Sequence, residues 1–251
     1  MELSIRFVRV RILTVTKNSD KIITFKYKFK FKGGSEKEFI VKLDDKTLNL
    51  IQTERKSYPK WTELIYFKCP NCPLNEDRHT FCPVAANVVE VVDFFKASIS
   101  YDEVDLFIET EQRGYLKHTT LQQGINSLIG IYMVTSDCPI MNKLKPMVRY
   151  HLPFATLQET QYRAISMYLL AQYFLYKRGK RPDWELANLI KIYDDIRIVN
   201  KYFFKRLSEI KIKDATLNAI VKLDMFAQHV SAFLDRNVLD EMESSFDAYF
   251  E

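Results

Sequence analysis

The chain has 251 residues, of which 47% are apolar and 14% aromatic, with only 6 Gly and 8 Pro. This length fits one large domain or two small ones with a sizeable core, and the few Gly and Pro residues argue against long flexible linkers. The net charge of +5 conceals an asymmetry, because residues 1–68 carry a net charge of +8 and the remainder −3. No nucleic-acid motif accompanies the basic part, so we do not expect a nucleic-acid partner.

No segment has the features of a secretory signal or a membrane span. The N-terminus is interrupted by Arg6, Arg9 and Arg11 and has no continuous apolar region. No apolar run approaches the ~20 residues that a spanning helix needs. We therefore expect a cytoplasmic protein, in which the cysteines stay reduced.

The first part of the chain is predicted to form antiparallel strands. Residues 3–15 favour a strand with a bulge, and residues 17–20 form a turn cluster. Residues 21–32 then alternate with a period of two, the strongest strand signal in the chain. One face carries aromatic and aliphatic side chains and the other lysines, namely Ile23, Phe25, Tyr27, Phe29 and Phe31 against Lys26, Lys28, Lys30 and Lys32. This separation indicates a core face backed by a solvated face, not a stacking platform for single-stranded nucleic acid.

The segments after this strand lead to the first cysteine. The Gly-Gly pair at 33–34 predicts a tight hairpin into a second strand centred on Val41. The Asp-Asp pair at 44–45 is expected to cap a short helix that includes residues 48–51. Residues 64–67 are expected to form a further short strand.

A helix and two more strands are predicted next. Pro83 is a suitable first residue for a helix that ends near Ala97. Residues 103–111 alternate as a strand, and residues 115–117 follow a turn. These two segments are expected to pair with each other or to add to the N-terminal sheet.

The remainder of the chain is predicted to be helical. Thr120 with Gln123, and Thr156 with Glu159, are plausible capping boxes, and Gly179 is a suitable residue to end the second helix. That second helix is apolar around most of its circumference, so we expect it to be the central helix of a bundle. The predicted helices span residues 120–135, 140–149, 156–179, 183–210, 214–236 and 238–250.

These elements predict an α+β fold, with a small antiparallel β-sheet at the N-terminus packed on a C-terminal helical bundle. We divide the chain into a β-rich basic domain at residues 1–68, a cysteine-containing joint with a helix and a hairpin at 69–118, and an α-helical bundle at 119–251.

Four cysteines form the strongest candidate site. Cys69 and Cys72 have a spacing that lets both thiolates bind one ion, whereas Cys82 and Cys138 lie near the ends of two predicted helices. Four thiolates satisfy either tetrahedral zinc, with Zn–S distances near ~2.3 Å, or a 4Fe–4S cluster. We therefore predict that Cys69, Cys72, Cys82 and Cys138 bind zinc or an iron–sulfur cluster.

A proline follows every cysteine, which bears on the choice of metal. Proline has no N–H to donate to sulfur, and it biases the preceding cysteine toward an extended conformation. Pro73 therefore argues against an ordinary zinc knuckle, and Cys-Pro occurs among the ligands of iron–sulfur clusters. This pattern favours the cluster over zinc.

Other interpretations of the cysteines stay open. His79 in place of Cys138 would complete a zinc site of three cysteines and one histidine. The cysteines can also be unliganded core residues, and Cys69 with Cys72 can form a redox dithiol. An oxidising compartment would permit disulfides.

Recognised catalytic motifs are absent from the sequence. It contains no P-loop, no Gly-x-Gly-x-x-Gly and no serine or cysteine nucleophile motif. His151, between Tyr150 and Leu152, is a candidate catalytic residue, but a structural role at a connector is the favoured interpretation. We predict no catalytic residue and leave enzymatic activity open.

Four segments carry a resemblance to a known family. They are Cys69-Pro-Asn-Cys-Pro-Leu74, Thr135-Ser-Asp-Cys-Pro139, Pro146-Met-Val-Arg-Tyr-His-Leu-Pro-Phe154 and Tyr168-Leu-Leu-Ala-Gln-Tyr-Phe174. Together they resemble an uncharacterised bacterial family of unknown function, over nearly the whole chain. The resemblance implies a bacterial, cytoplasmic protein and supplies no reaction, ligand or functional residue.

The function that we predict from the sequence is that of a non-catalytic binding or regulatory protein with an unknown protein partner. Its four-cysteine metal or iron–sulfur site would join the two parts of the chain. The alternative is an iron–sulfur protein that transfers electrons. The first interpretation leads, because the sequence shows no substrate site.

Overall fold

A computed structural model describes residues 21–51, 55–234 and 238–250. The strand predicted at 3–15 and the turn predicted at 17–20 lie outside the described residues. Within them, an antiparallel sheet precedes a helical C-terminal half, so the predicted α+β fold class is confirmed.

Four strands form the sheet in the order β2-β1-β3-β4, and every neighbouring pair is antiparallel. Their bounds are β1 Ile22–Phe31, β2 Glu36–Asp44, β3 Glu103–Glu109 and β4 Gly114–Thr120. In β1, Phe25, Tyr27 and Phe29 are buried, whereas Lys26 and Lys30 are exposed, as the period of two predicts. The sheet combines strands from both sides of the boundary proposed at residue 68, and that domain division stays a prediction.

The lysine face of β1 carries acidic residues as well. The Lys28 ammonium lies 2.6 Å from a Glu36 carboxylate oxygen, and the strand register places Lys28 opposite Glu38. Lys30 lies opposite Glu36 on one side and Asp105 on the other. Opposite charges in cross-strand positions stabilise a sheet, and here they give this face a mixed charge.

The helices are α1 Pro83–Asn87, α2 Val89–Phe95, α3 Leu121–Val134, α4 Pro146–Arg149, α5 Leu157–Lys177, α6 Ala187–Ser208, α7 Asp214–Leu234 and α8 Val238–Glu243. Short 3-10 turns occupy Lys60–Thr62, Met141–Leu144 and Ser244–Tyr249. The helix predicted from residue 83 is therefore two helices, because Val88 leaves helical geometry between them. Among the described residues, every helix is too short or too polar to cross a bilayer.

Helix α3 lies between the sheet and α7. On one side Gly124 sits so close to the sheet that an added Cβ would lie 2.8 Å from the Phe29 ring and 3.0 Å from Leu106. On the other side Asn126 donates a 3.0 Å hydrogen bond to the Ala219 carbonyl of α7. Helix α6 packs along α7, and the buried side chains form one continuous core.

Two connectors differ from their predictions. The predicted helix after the Asp44–Asp45 pair is a turn, in which Asp44 accepts the N–H of Thr47 at 2.7 Å and Leu48 has a left-handed φ of 58°. The strand predicted at 64–67 is also wrong, since the described pairing there is one isolated bridge between Glu63 and Phe81. A short polar side chain that bonds the backbone locally favours a turn over a helix.

Helix α5 is peripheral, so its prediction as the central helix is wrong. It buries one side only, with Ala164, Ile165 and Tyr168 in the core. Its exposed apolar residues are Tyr162, Leu170, Tyr173, Phe174 and Tyr176. Aromatic residues with polar tips tolerate water on one side, and this makes an apolar circumference a poor guide to central position.

The two predicted capping boxes have different outcomes. Thr156 accepts the N–H of Glu159 at 3.2 Å, and its own N–H donates to the Glu159 carboxylate at 2.7 Å, which confirms the second box. Thr120 precedes α3 but makes no side-chain cap. Instead the neighbouring Thr119 hydroxyl donates to the Gln123 side chain at 2.8 Å.

Candidate metal centre

The four predicted cysteine ligands lie in three segments. Cys69 and Cys72 are in the loop before α1, Cys82 directly precedes α1, and Cys138 follows α3. Cys138 is buried, with 8% of its surface exposed, and the other three are half-buried. All four are free cysteines, so the disulfide alternative has no support in this structure.

The four thiols influence one another's ionisation. Burial raises the pKa of Cys69 to about 12, and the charges of Cys82, Cys138 and Cys72 add to this effect. Burial also raises the pKa of Cys138, again with contributions from Cys82 and Cys72. Because such effects fall off with distance, these cysteines occupy one region of the molecule although they are far apart in sequence.

The four cysteine side chains are not arranged as a complete metal coordination shell. Within the described ranges, no three or more histidine, cysteine or acidic side chains are grouped as a metal site would require. The donor set itself fits either zinc or a 4Fe–4S cluster, so ligation by these cysteines stays a prediction. His79, the proposed substitute for Cys138, lies on an exposed loop, and its backbone N–H donates to the Asn75 carbonyl.

A buried arginine accompanies the thiols. Arg206 of α6 is 2% exposed and donates to three carbonyl oxygens: Trp61 at 2.6 Å, Glu63 at 2.7 Å and Phe67 at 3.3 Å. These bonds attach the C-terminal bundle to the segment that leads into the first cysteine. They use three of the five N–H donors of the guanidinium, and none of these described partners is an anion.

The titratable neighbours of Arg206 are three of the cysteines and Tyr66. Burial lowers the pKa of Arg206, and the charges of Cys82 and Cys69 oppose this most strongly. Among the described residues, Arg206 forms no ion pair with a carboxylate. A buried cation without an acid is costly, so the Arg206 charge offsets part of the burial effect that raises the pKa of Cys69.

The backbone after Cys138 likewise offsets part of the effect of burial on its thiol. The N–H groups of Met141 and Ile140 hydrogen-bond to the Cys138 sulfur and oppose the rise in its pKa. Pro139 cannot donate, but the two residues after it do. Pro139 therefore removes one possible N–H donor, but the Cys138 sulfur still accepts hydrogen bonds from the backbone. The Cys-Pro pattern alone does not reveal these bonds.

Strained backbone occurs beside two of the cysteines. Phe67, two residues before Cys69, has a φ of 54°, and Asp137, directly before Cys138, has a φ of 66°. Non-glycine residues rarely adopt this left-handed conformation, and when they do the surrounding structure must impose it. The Asn71 side chain further fixes the first loop by donating to the Asp195 carbonyl of α6 at 3.0 Å.

His151 belongs to a separate buried network. The Tyr27 hydroxyl lies 2.7 Å from His151 Nε2 and 3.0 Å from the Ser127 hydroxyl. Burial lowers the pKa of His151 to about 3, and the Arg163 charge contributes. No described carboxylate orients the imidazole, so the Ser127–His151 pair lacks the third member of a catalytic triad.

Sequence reasoning missed Arg206 as part of the candidate site. One signal was available: on α6 it falls on the same helical stripe as Val199 and Phe203, which are buried. A charge in an apolar stripe indicates a buried polar contact. The three carbonyls that accept from Arg206 could not be predicted in the same way, because every residue has a backbone carbonyl.

Comparison with known proteins identifies one family. A family model described as a domain of unknown function (DUF6901) matches residues 25–247. No curated protein and no solved structure matches the chain. The predicted resemblance to a family of unknown function is confirmed at this level, and the bacterial origin stays a prediction.

Proposed function

The chain belongs to the DUF6901 family, a domain of unknown function, and from its geometry we propose that it is a non-catalytic binding or regulatory protein built around a metal centre. Cys69, Cys72, Cys82 and Cys138 are the proposed ligands. The centre would join the β-sheet to the helical bundle and respond to metal or redox state. Its partner is proposed to be another protein, in a bacterial cytoplasm.

The buried charge of Arg206 carries this proposal. A zinc ion or a 4Fe–4S cluster held by four thiolates has a net charge of about −2. Such a centre would supply the anion that the guanidinium lacks, since the thiols of Cys82 and Cys69 are its nearest titratable neighbours in electrostatic effect. Four neutral thiols would leave the buried cation uncompensated.

The proline after each cysteine favours the iron–sulfur cluster over zinc. When bound, an iron–sulfur cluster would supply the reversible gain of one electron, at a potential set by burial and by hydrogen bonds to sulfur. The protein's own contribution is the Arg206 charge and the N–H groups of Ile140 and Met141 at Cys138. The half-exposure of Cys69, Cys72 and Cys82 also supports the alternative, an electron-transfer protein, because electrons need a route to the surface.

Metal analysis of the protein purified without air tests the proposal. We expect stoichiometric iron and sulfide with visible charge-transfer absorbance, or stoichiometric zinc in a colourless protein. Cys138→Ser should lower the metal content and the melting temperature together, because metal binding contributes to folding free energy. Met141→Leu is the matched control: it changes a buried residue beside Cys138 that supplies no proposed ligand side chain.

Cys72→Ser provides a second test at a half-buried position, where a serine is easier to accommodate. It should lose metal while keeping its far-UV circular dichroism. An unchanged metal content in both serine variants, or wild-type protein free of metal after anaerobic preparation, would contradict the proposal.

A further inference from the structure

An apolar cavity of about 240 Å³ lies among α3, the segment 141–155, α6 and α7. Its walls are mostly aliphatic and aromatic, with Ile131, Met141, Leu144, Ile196, Leu223 and Phe226 as typical members. An engineered apolar cavity of about 150 Å³ is known to bind benzene. This cavity therefore has room for a single ring with a short substituent or for a folded alkyl chain.

The cavity wall contains a buried amide whose oxygen has no hydrogen-bond partner among the described residues. Asn200 lines the wall and is 2% exposed, and its side-chain oxygen is buried with no partner among the described residues. A buried polar atom without a partner is destabilising, so its presence in a cavity wall calls for a ligand or a water molecule. Either end of the amide can face the cavity after rotation of the side chain, so it can accept or donate.

A second polar group in the wall is almost as poorly satisfied. The buried Tyr193 hydroxyl donates to the Met147 sulfur, at a distance of 4.0 Å. A thioether is a weak acceptor, and this distance is at the limit for sulfur. Tyr193 can therefore donate to a better acceptor, such as a ligand oxygen.

The charge of the lining is positive. Lys222 of α7 is the single charged residue of the wall, and it forms no ion pair with a described carboxylate. The described part of the lining contains no Asp or Glu. An apolar site with one cation and a weakly paired hydroxyl donor, that of Tyr193, complements an anion with an apolar body.

We propose that this cavity binds a small amphipathic carboxylic acid. The ring or alkyl chain lies among the apolar side chains, and the carboxylate lies toward Lys222 with a hydrogen bond from Tyr193 or Asn200. The described lining of the cavity contains none of the four cysteines, although Met141 borders both the cavity and Cys138. The proposal assigns a ligand class to a part of the fold in which the sequence showed no ligand-binding motif.

Isothermal titration calorimetry of the full chain with octanoate tests the proposal, with 1-octanol and octylamine as probes of equal chain length. We expect octanoate to bind about tenfold more tightly than octanol, and octylamine more weakly than either, because a charge-assisted contact contributes roughly 1.5 kcal/mol. Lys222→Met should reduce octanoate affinity about tenfold and leave octanol affinity unchanged. Lys191→Met, which removes an exposed lysine of α6 outside the lining, should change neither.

A cavity-filling variant separates this site from adsorption at the surface. Gly130 lines the cavity, and an added Cβ would make an ordinary 3.5 Å contact with Leu223, so a longer side chain can enter without displacing the backbone. Gly130→Met should abolish octanoate binding with the melting temperature retained. Binding that survives Gly130→Met, equal affinity for octanoate and octanol, or no binding of octanoate to the wild type would each overturn the proposal.

Discussion

His151 shows how burial converts one side chain into a source of pH-dependent stability. Its imidazole contacts the Tyr27 and Ser127 hydroxyls, and burial lowers its pKa to about 3. In the unfolded chain the same group titrates near ~6.5. Between these values the unfolded chain binds a proton that the folded chain does not, so acidification favours unfolding.

We therefore predict that the free energy of unfolding falls as the pH drops from about 6.5 toward 3 and that His151 contributes up to ~1.4 kcal/mol per pH unit in this window. Urea titrations of His151→Gln should show a smaller slope of stability against pH. His229→Gln, at an exposed position of α7, should keep the wild-type slope. Equal slopes for His151→Gln and the wild type would show that the imidazole does not remain neutral.

At the scale of single residues, the sequence predicted interactions correctly only between residues that lie close together in the chain. The Thr156–Glu159 cap was predictable because both partners lie within one turn, and Gly179, with a φ of 68°, ends the same helix as expected. The network of Tyr27 with His151 joins residues 124 positions apart. Rules based on sequence spacing do not relate residues so far apart, so this network could not be predicted from one sequence.

At the scale of the elements, helix α3 is closely packed on two sides. The sheet and α7 contact opposite sides of it, and two glycines in the same helix meet these neighbours at different distances. A Cβ at Gly124 would lie 2.8 Å from Phe29, a buried ring, whereas one at Gly130 would lie 3.5 Å from Leu223. The first distance is a clash and the second an ordinary contact.

The two glycines give a matched prediction. Gly124→Ala should lower the free energy of unfolding by about 1–2 kcal/mol, since overpacking outweighs the gain in helix propensity. Gly130→Ala should raise it by up to ~1 kcal/mol, because only the propensity gain applies. Chemical denaturation of both variants measures the difference in the free energy of unfolding. Equal changes in the two variants would mean that the sheet shifts to accommodate the methyl group added at residue 124.

Periodicity predicted strands better than it predicted the positions of helices. The alternation in β1 fixed both its location and its buried face, because a period of two leaves little choice. The apolar circumference of α5 indicated a helix correctly but a central position wrongly, since Leu170 and Phe174 are exposed. The turns after Asp44 and at residues 64–67 depend on side-chain bonds and a bridge to Phe81 that short windows do not contain.

In the whole molecule, Arg206 connects the helical bundle to the N-terminal half. It donates to the carbonyls of Trp61, Glu63 and Phe67, about 140 residues earlier in the chain. Sequence alone predicted the α+β class and placed four cysteines in one candidate site. It did not predict this connection, because contacts between distant segments follow from packing.

We predict that Arg206→Met lowers the free energy of unfolding by about 3 kcal/mol or more, since it leaves three carbonyls without their donor. Lys205→Met, the exposed neighbour on α6, should change it by less than about 0.5 kcal/mol. Both are measured by urea denaturation under the same metal loading. Similar values for the two variants would show that water replaces the guanidinium at these carbonyls.

The Arg206 contacts also have a consequence during synthesis. Translation adds about 5–20 residues per second, so the segment 61–67 would be made roughly 7–28 s before its arginine. During that interval the early cysteines would lie on a loop that is not yet held in place. A chain that ends before α6 therefore lacks the donor to these three carbonyls, and the segment that leads into Cys69 has to wait for the C-terminal half to be made.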